Sequence, residues 1–449
     1  MEFAGEDKLI KNGKTPELQQ RRKDLLTLLK KAIGAVDPYH VVSTYFRDSI
    51  IQIESSTYNL SDFHHIYLAS FGKASIGMTE AIIDHCEITK GVVITNDETK
   101  QINHDHITVF HGGHPLPNQG SIYGAKAIES MIHQLTDDDL LIILISGGGS
   151  ALLCHPRISL EDMQKTTALL LKSGAEITEI NTVRKHLSHV KGGQLIQMVN
   201  GTIISFIISD VINDPLGFIA SGPTVGDDTS FQDVKNIFDK YHIWKTIPHS
   251  VKKIINKGLN HEINETPTTD YLKDKKVQNV IVANNTLACE TLLKNARSMG
   301  YRPMLFSTSL HGEAKDMGTH LVKILNKQNQ TDGIDMIIAG GETTVTVHGK
   351  GKGGRNQEMV LGSLSSLLDH DMLLACCGSD GIDGMSTAAG AIADPMSKKR
   401  AEILNLSIES YLDENNSFEF FKQLDDLLIT GPTGTNVMDL YILLKGNHQ

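Results

Sequence analysis

The sequence predicts an α/β protein made of two domains, with a parallel sheet at its centre. Two observations carry this. Short, nearly all-apolar runs recur along the chain, each ending in glycine or small polar residues and usually followed by a stretch of helical character. One long polar stretch divides them. Unbroken apolar strands alternating with helices belong to sheets covered on both faces. The 449 residues also exceed the roughly 250–300 at which single cores stop growing.

The runs, in order, are HIYLASF before GKAS, LLIILIS before GGGS, IISFIIS before DV, NVIVA before NNT, MIIA before GGET and LLACC before GSDG. In such sheets ligands gather beyond the carboxyl ends of strands. The loops after Phe71, Ile145, Ile208, Ala339 and Cys377 all lie there and carry Lys, Asp, Glu, Ser or Thr. Tight turns alone would need only the glycines. The polar stretch from Asn256 to Lys276 reads as a linker, giving an N-terminal domain over 1–262 and a C-terminal domain over 275–449.

Composition excludes several classes. Apolar residues make up 40% of the chain, too many for a disordered protein. The net charge of -11 argues against nucleic acid as a partner. No apolar run approaches the roughly 20 residues of a membrane span, and the acidic N-terminus, MEFAGED, suits neither a signal nor a transit peptide, so a cytoplasmic protein is expected. Five cysteines without metal-type spacing do not make a disulfide framework, and Cys376 and Cys377 read as part of a buried strand.

Four loops carry chemistry. In LIILISGGGSA, the glycines of Ser146, Gly147, Gly148, Gly149 and Ser150 allow backbone N–H groups close to an anion, and a following helix would add positive potential. In FGKAS, Lys73 sits at a strand end, where an ammonium neutralises charge on a transferred phosphoryl group. GKGKGGRNQE follows the strand-like TTVTV and contains a formal GxGxxG ending at Gly354. Its Lys350, Lys352 and Arg355 favour phosphate or carboxylate over a dinucleotide, and the Arg355 fork suits bidentate contact. Finally, Asp210, Asp214, Glu342, Asp380 and Asp383 are strand-end acids suited to Mg²⁺, to proton acceptance or merely to capping turns. Asp210, Glu342 and Asp380 are the expected metal acids. His104, His106, His111 and His114 lack a Cys or acid to complete a zinc set.

Taken together, FGKAS, GGHPLPN, LISGGGSALL, NTVRKHLSHVKGGQL, SDVINDPLGFIASGPTVGD, AGGETTVTV, GKGGRNQE, GSDGIDG and TGPTGTNVMDLYILL resemble the class II glycerate kinases, or glycerate 2-kinases, whose C-terminal part is the MOFRL domain. The matches run from about Phe71 to Leu444. The resemblance implies a larger N-terminal Rossmann-like parallel sheet, a C-terminal MOFRL α/β domain and an active site in the cleft. It implies transfer of phosphate from ATP to D-glycerate with Mg²⁺, leaning towards the 2-hydroxyl, and it leaves oligomeric state open, a homodimer included. It makes Lys73 and Arg355 catalytic cations; among the strand-end acids Asp210 is the expected catalytic carboxylate, accepting the proton of the attacking hydroxyl. Ser146 to Ser150 become a phosphate cradle, with Lys352 and Gly354 as further nucleotide contacts. Asn181, Arg184 and Lys185 are brought to the substrate. Asn213 stands where the family pattern has glycine; asparagine is the residue best able to keep that left-handed turn. Two other readings compete: an NAD(P)-dependent hydroxypyruvate reductase resting on GKGKGG, and a non-catalytic sugar-phosphate or nucleotide sensor on the same fold.

Overall fold

A computed structural model describes residues 1–446. The chain forms two compact units. One is 38–282; the other joins 1–37 to the chain from Ala283 onward.

In the first unit a small antiparallel sheet comes first: β1 (Phe46–Arg47), β2 (Ile50–Ile53) and β3 (Ser56–Asn59). The main sheet follows: β4 (Ile66–Phe71), β5 (Lys90–Thr95), β6 (Ile107–His111), β7 (Leu140–Ile145), β8 (Thr202–Ile208) and β9 (Val277–Ala283). Its order is β6-β5-β4-β7-β8-β9, and β6 through β8 pair in parallel. Numbered from its own first strand this is 3-2-1-4-5-6, the order of a Rossmann-type sheet, whose direction of growth reverses between β4 and β7. Every residue of β4 and β7 is buried, as unbroken apolar runs require when helices cover both faces. The helix Gln119–Ile132, capped by Asn118 and Ser121, lays Ala125, Ile128 and Ile132 against Ile94, Phe71 and Ile143. Four helices, Leu160–Lys172, Ile177–His186, Phe231–Lys240 and His249–Leu259, build a second core around Val183, Val234 and Phe238.

The second unit has a mixed sheet of β10 (Pro303–Leu310), β11 (Met336–Gly341), β12 (Met372–Gly378), β13 (Gly390–Ala393), β14 (Leu427–Leu428) and β15 (Asp439–Lys445), in the order β10-β11-β15-β12-β13-β14. MIIA and LLACC run in the same direction, as expected, but they are not neighbours in a parallel sheet. β15 lies between β11 and β12 and runs antiparallel to both, and only β10 and β11 pair in parallel. TTVTV is not a strand: only Thr344 forms a bridge, to Glu313, whose carboxylate takes the amide of Thr346 at 2.9 Å.

The domain limits also differ from expectation. NVIVA belongs to the first sheet as its edge strand β9, so the division falls at Val282 rather than within the polar stretch. Residues 1–37 belong with the C-terminal unit, because the helix Pro16–Ala35 buries Arg22 there. Its Nε lies 2.5 Å from Asp394, and its Nη1 2.9 Å from Asp426, with all three side chains fully buried.

Candidate active site

The switch point between β4 and β7 assembles the first group of predicted residues. Gly72 leaves β4 at φ 126°, and a Cβ there would stand 2.1 Å from Ser146 Oγ, so only glycine lets the two loops touch. The Lys73 amide donates to the Gly147 carbonyl at 2.8 Å, and the Ala74 amide to Ser146 Oγ at 3.0 Å. The helix expected after FGKA is Ser75–His85. The helix expected after SGGGS is a single turn, Gly149–Leu152, because the chain leaves helical geometry at Leu153. Gly148 turns at φ 81°, and the Lys73 Cγ lies 3.4 Å from where a Cβ on Gly148 would stand. The ammonium arm of Lys73 is thus packed along the glycine loop.

A recess of about 240 Å³ opens at this point, lined by His114, Gly148, Ser150, Arg184, Asp210 and Ala220 among others. Gly148 and Gly149 face it with backbone alone. Ser150 Oγ lies 2.6 Å from Ser221 Oγ, which donates to Asn181 Oδ1 at 3.2 Å. Arg184 gives Nη2 to the Ser150 carbonyl at 3.2 Å, and burial holds its pKa below the usual value. Of the three residues expected from NTVRKH, then, Arg184 lines the recess and Asn181 supports its wall. Lys185 does neither: it is buried in an ion pair with Asp227 at 3.2 Å. Asn213 has φ 62°, so asparagine does sustain the left-handed turn; Asp214 adopts it too, at 54°.

The second group gathers at one end of the mixed sheet. Arg355 opens the helix Arg355–Asp369. Its Nε and Nη2 hold the two oxygens of buried Asp439, and Nη1 holds Glu342. Burial opposes the charge of Arg355, but Asp439 more than offsets it, so the guanidinium stays protonated well beyond the ordinary range. Asp380 and Asp439 flank Gly378, with oxygens 3.4 Å and 3.5 Å from the position of a Cβ there. Asp439, missed in the sequence, could have been suspected from its place at the head of the apolar run LYILL.

Asp210, Glu342 and Asp380 do not form a preassembled metal centre. Among the described residues no three His, Cys, Asp or Glu side chains are grouped to hold a metal. Glu342 is engaged by Arg355, and Asp380 Oδ1 accepts the Ile382 amide at 3.0 Å. Lys352 and Gly354 also have structural work. Lys352 Nζ lies 4.6 Å from the Phe418 ring, and a Cβ on Gly354 would strike Asp383 at 2.3 Å. Gly349 and Gly351 pack as closely on the backbone of Glu414, at 2.3 Å and 2.4 Å. The GxGxxG therefore seats one protein segment on another, and the dinucleotide reading of it loses its basis.

An open α/β protein with cations and acids gathered at strand ends is the class that these features define. The comparisons carry it further. Residues 24–256 match a family described as a domain of unknown function, DUF4147, and 327–439 match the MOFRL family. The chain is 41% identical to a glycerate 2-kinase of Pyrococcus horikoshii, over 93% of this chain and 96% of that one. It is 35% identical to a D-glycerate 2-kinase of Thermotoga maritima, over 94% and 97%. A crystal structure of the Thermotoga maritima glycerate kinase superposes with a TM-score of 0.83 at 34% identity, over 94% of this chain and 99% of that one. The chain belongs to the glycerate kinase family.

Proposed function

We propose that this chain transfers the terminal phosphate of ATP to the 2-hydroxyl of D-glycerate, using Mg²⁺, in the cytoplasm. The observation that carries the reading is a recess at a sheet switch point where Arg184 meets the Gly148–Ser150 backbone, with the Lys73 side chain packed beside Gly148. A small recess walled by backbone and a guanidinium fits phosphate oxygens. No helix among the described residues is long and apolar enough to cross a membrane.

In this reading Lys73 lies along the transferred phosphoryl group and opposes the charge that builds as the bond to the ADP oxygen breaks. The glycerate oxygen forms the new bond to phosphorus, ADP leaves with the electron pair, and Asp210 accepts the hydroxyl proton. Arg355 binds the glycerate carboxylate or the γ-phosphate through its remaining donors or by exchanging one of its present carboxylate partners. Mg²⁺ needs only one or two carboxylates beside phosphate oxygens, and the hard oxygen donors of Asp210, which lines the recess, suit it without a three-acid cage. It would supply charge neutralisation on the β and γ phosphates.

The test is phosphorus NMR of the product from ATP, Mg²⁺ and D-glycerate, which distinguishes the 2-phosphate from the 3-phosphate. The expected signal is that of the 2-phosphate, lost in excess EDTA and restored by Mg²⁺ or Mn²⁺. Full turnover in EDTA, or no phosphoglycerate at all, would refute the assignment.

A further inference from the structure

The segment after the helix Ile177–His186 carries a charged group that the reaction above does not use. Lys191 is 2% exposed, and its Nζ donates to the carbonyls of Ser150, at 2.7 Å, and Leu153, at 3.0 Å. Ser150 is the second residue of the turn Gly149–Leu152, and Leu153 follows its last. In so short a turn the carbonyls after Gly149 lack helical partners, and they present negative charge to a donor. Arg184 meets the same Ser150 carbonyl. Two cations thus hold the turn from behind. The backbone beside Lys191 is fixed in its turn: Gly192 and Gly193, at φ 57° and 76°, donate their amides to the carbonyls of Ser221 and Gly222. Ser221 also touches Ser150 through its hydroxyl.

We propose that Lys191 is a positioning residue for phosphoryl transfer, pinning the turn Gly149–Leu152 so that the backbone of Gly147 to Ser150 stays aimed at the incoming phosphate. This rests on the kinase reading of the same recess. A buried lysine commonly pairs with a carboxylate; the recorded partners of Lys191 are carbonyl oxygens. The ionisable groups that face it are Arg184 and the Cys154 thiol. Asp227, beside Gly192, is taken by Lys185 and Thr266. Burial, with Arg184 adding repulsion, lowers the Lys191 pKa to about 7. A phosphate entering the recess favours the charged amine, so nucleotide binding draws in a proton near neutral pH.

The experiment compares wild type, Lys191→Met and Lys191→Arg. Folding is checked by circular dichroism, kcat and KM for ATP by steady-state assay, and ADP binding by calorimetry at pH 7 in two buffers of different ionisation enthalpy. Lys191→Met is expected to fold and to lose roughly ten- to a hundred-fold in kcat/KM for ATP, the scale of a reacting group displaced by about 1 Å. Lys191→Arg, which does not deprotonate, is expected to keep more activity and to bind ADP without the proton uptake seen in wild type. A folded Lys191→Met with wild-type kcat/KM overturns the proposal. So does proton uptake that is absent in wild type or persists in Lys191→Arg, and this arm decides alone if the Met variant does not fold. A wild type that binds ADP with proton uptake yet phosphorylates no glycerate overturns the kinase reading and leaves the pinning role standing.

Discussion

Lys73 has its backbone fixed by the sheet and by Gly147, and its side chain laid along Gly148. Replacing it by Met keeps that aliphatic packing and removes the charge. A preorganised charge that acts mainly in the transition state lowers the barrier for chemistry more than it tightens binding. Lys73→Met is therefore expected to melt within a few degrees of wild type while kcat falls roughly 10²–10³-fold and KM for glycerate changes little. A variant with raised KM for ATP and intact kcat would make Lys73 a ground-state binder. For Arg355 the structure changes the argument. Two of its donors already grip Asp439 and a third grips Glu342, so a substrate anion must take the two donors that remain or compete with these carboxylates. Lysine cannot bridge two carboxylates with a planar fork. Arg355→Lys should lose most of kcat/KM, read in the same assay, and near-native activity would show that charge alone suffices. Both cations stood out in the sequence because they followed strand-like runs. Lys191 did not, since nothing in LSHVKGGQL shows that the carbonyls of Ser150 and Leu153 are brought over it.

Among the elements, strands were the most legible. Six unbroken apolar runs became six strands, because residues buried on both faces leave no room for polar alternation. Strand order in the C-terminal unit was not legible. The position of β15 between β11 and β12 depends on pairing across about a hundred residues, as between Ile337 and Leu443, which no local pattern reports. The helix Arg355–Asp369 shows a related limit. Of the roles left open for Asp383, the structure shows the capping one: it accepts the amides of Asn356 at 3.0 Å and Gln357 at 2.9 Å. Burial pushes its pKa from 3.8 to about 6 despite these bonds. The native state therefore holds this proton more tightly than the unfolded chain does. Its contribution to stability is greatest below about pH 4 and declines as pH rises towards 6. Asp383→Asn removes the titration, so the urea midpoint of wild type should fall relative to that of the variant between pH 4 and 6. Parallel midpoints across that window would contradict the buried, proton-holding cap.

At the scale of the whole molecule, the C-terminal unit is completed by the first 37 residues, and Arg22 is the reason they stay. Its guanidinium, fully buried, joins Asp394, Asp426 and Ser397, while Arg400 meets Asp426 from the other side. Removing one member strands buried carboxylates, at a cost of about 3–5 kcal/mol. Arg22→Met should lower the stability measured by urea denaturation by about that much, and adding Asp426→Asn should recover part of it. A loss under about 1 kcal/mol would mean that water reaches the cluster. No local pattern warns of this pairing, since the partners of Arg22 lie 372 and 404 residues further on. That separation also sets a timetable. A ribosome adding roughly 5–20 residues per second releases the helix Pro16–Ala35 some 20 to 80 seconds before it makes Asp426. All of 38–282 is complete in the interval and can fold. Until the helix Asn285–Ser298 is made and packs on it, the newborn helix carries Leu25, Leu26, Leu28 and Leu29, all destined for the core, without that partner. The nascent chain thus offers a greasy leading end to whatever holdase or neighbouring polypeptide reaches it first.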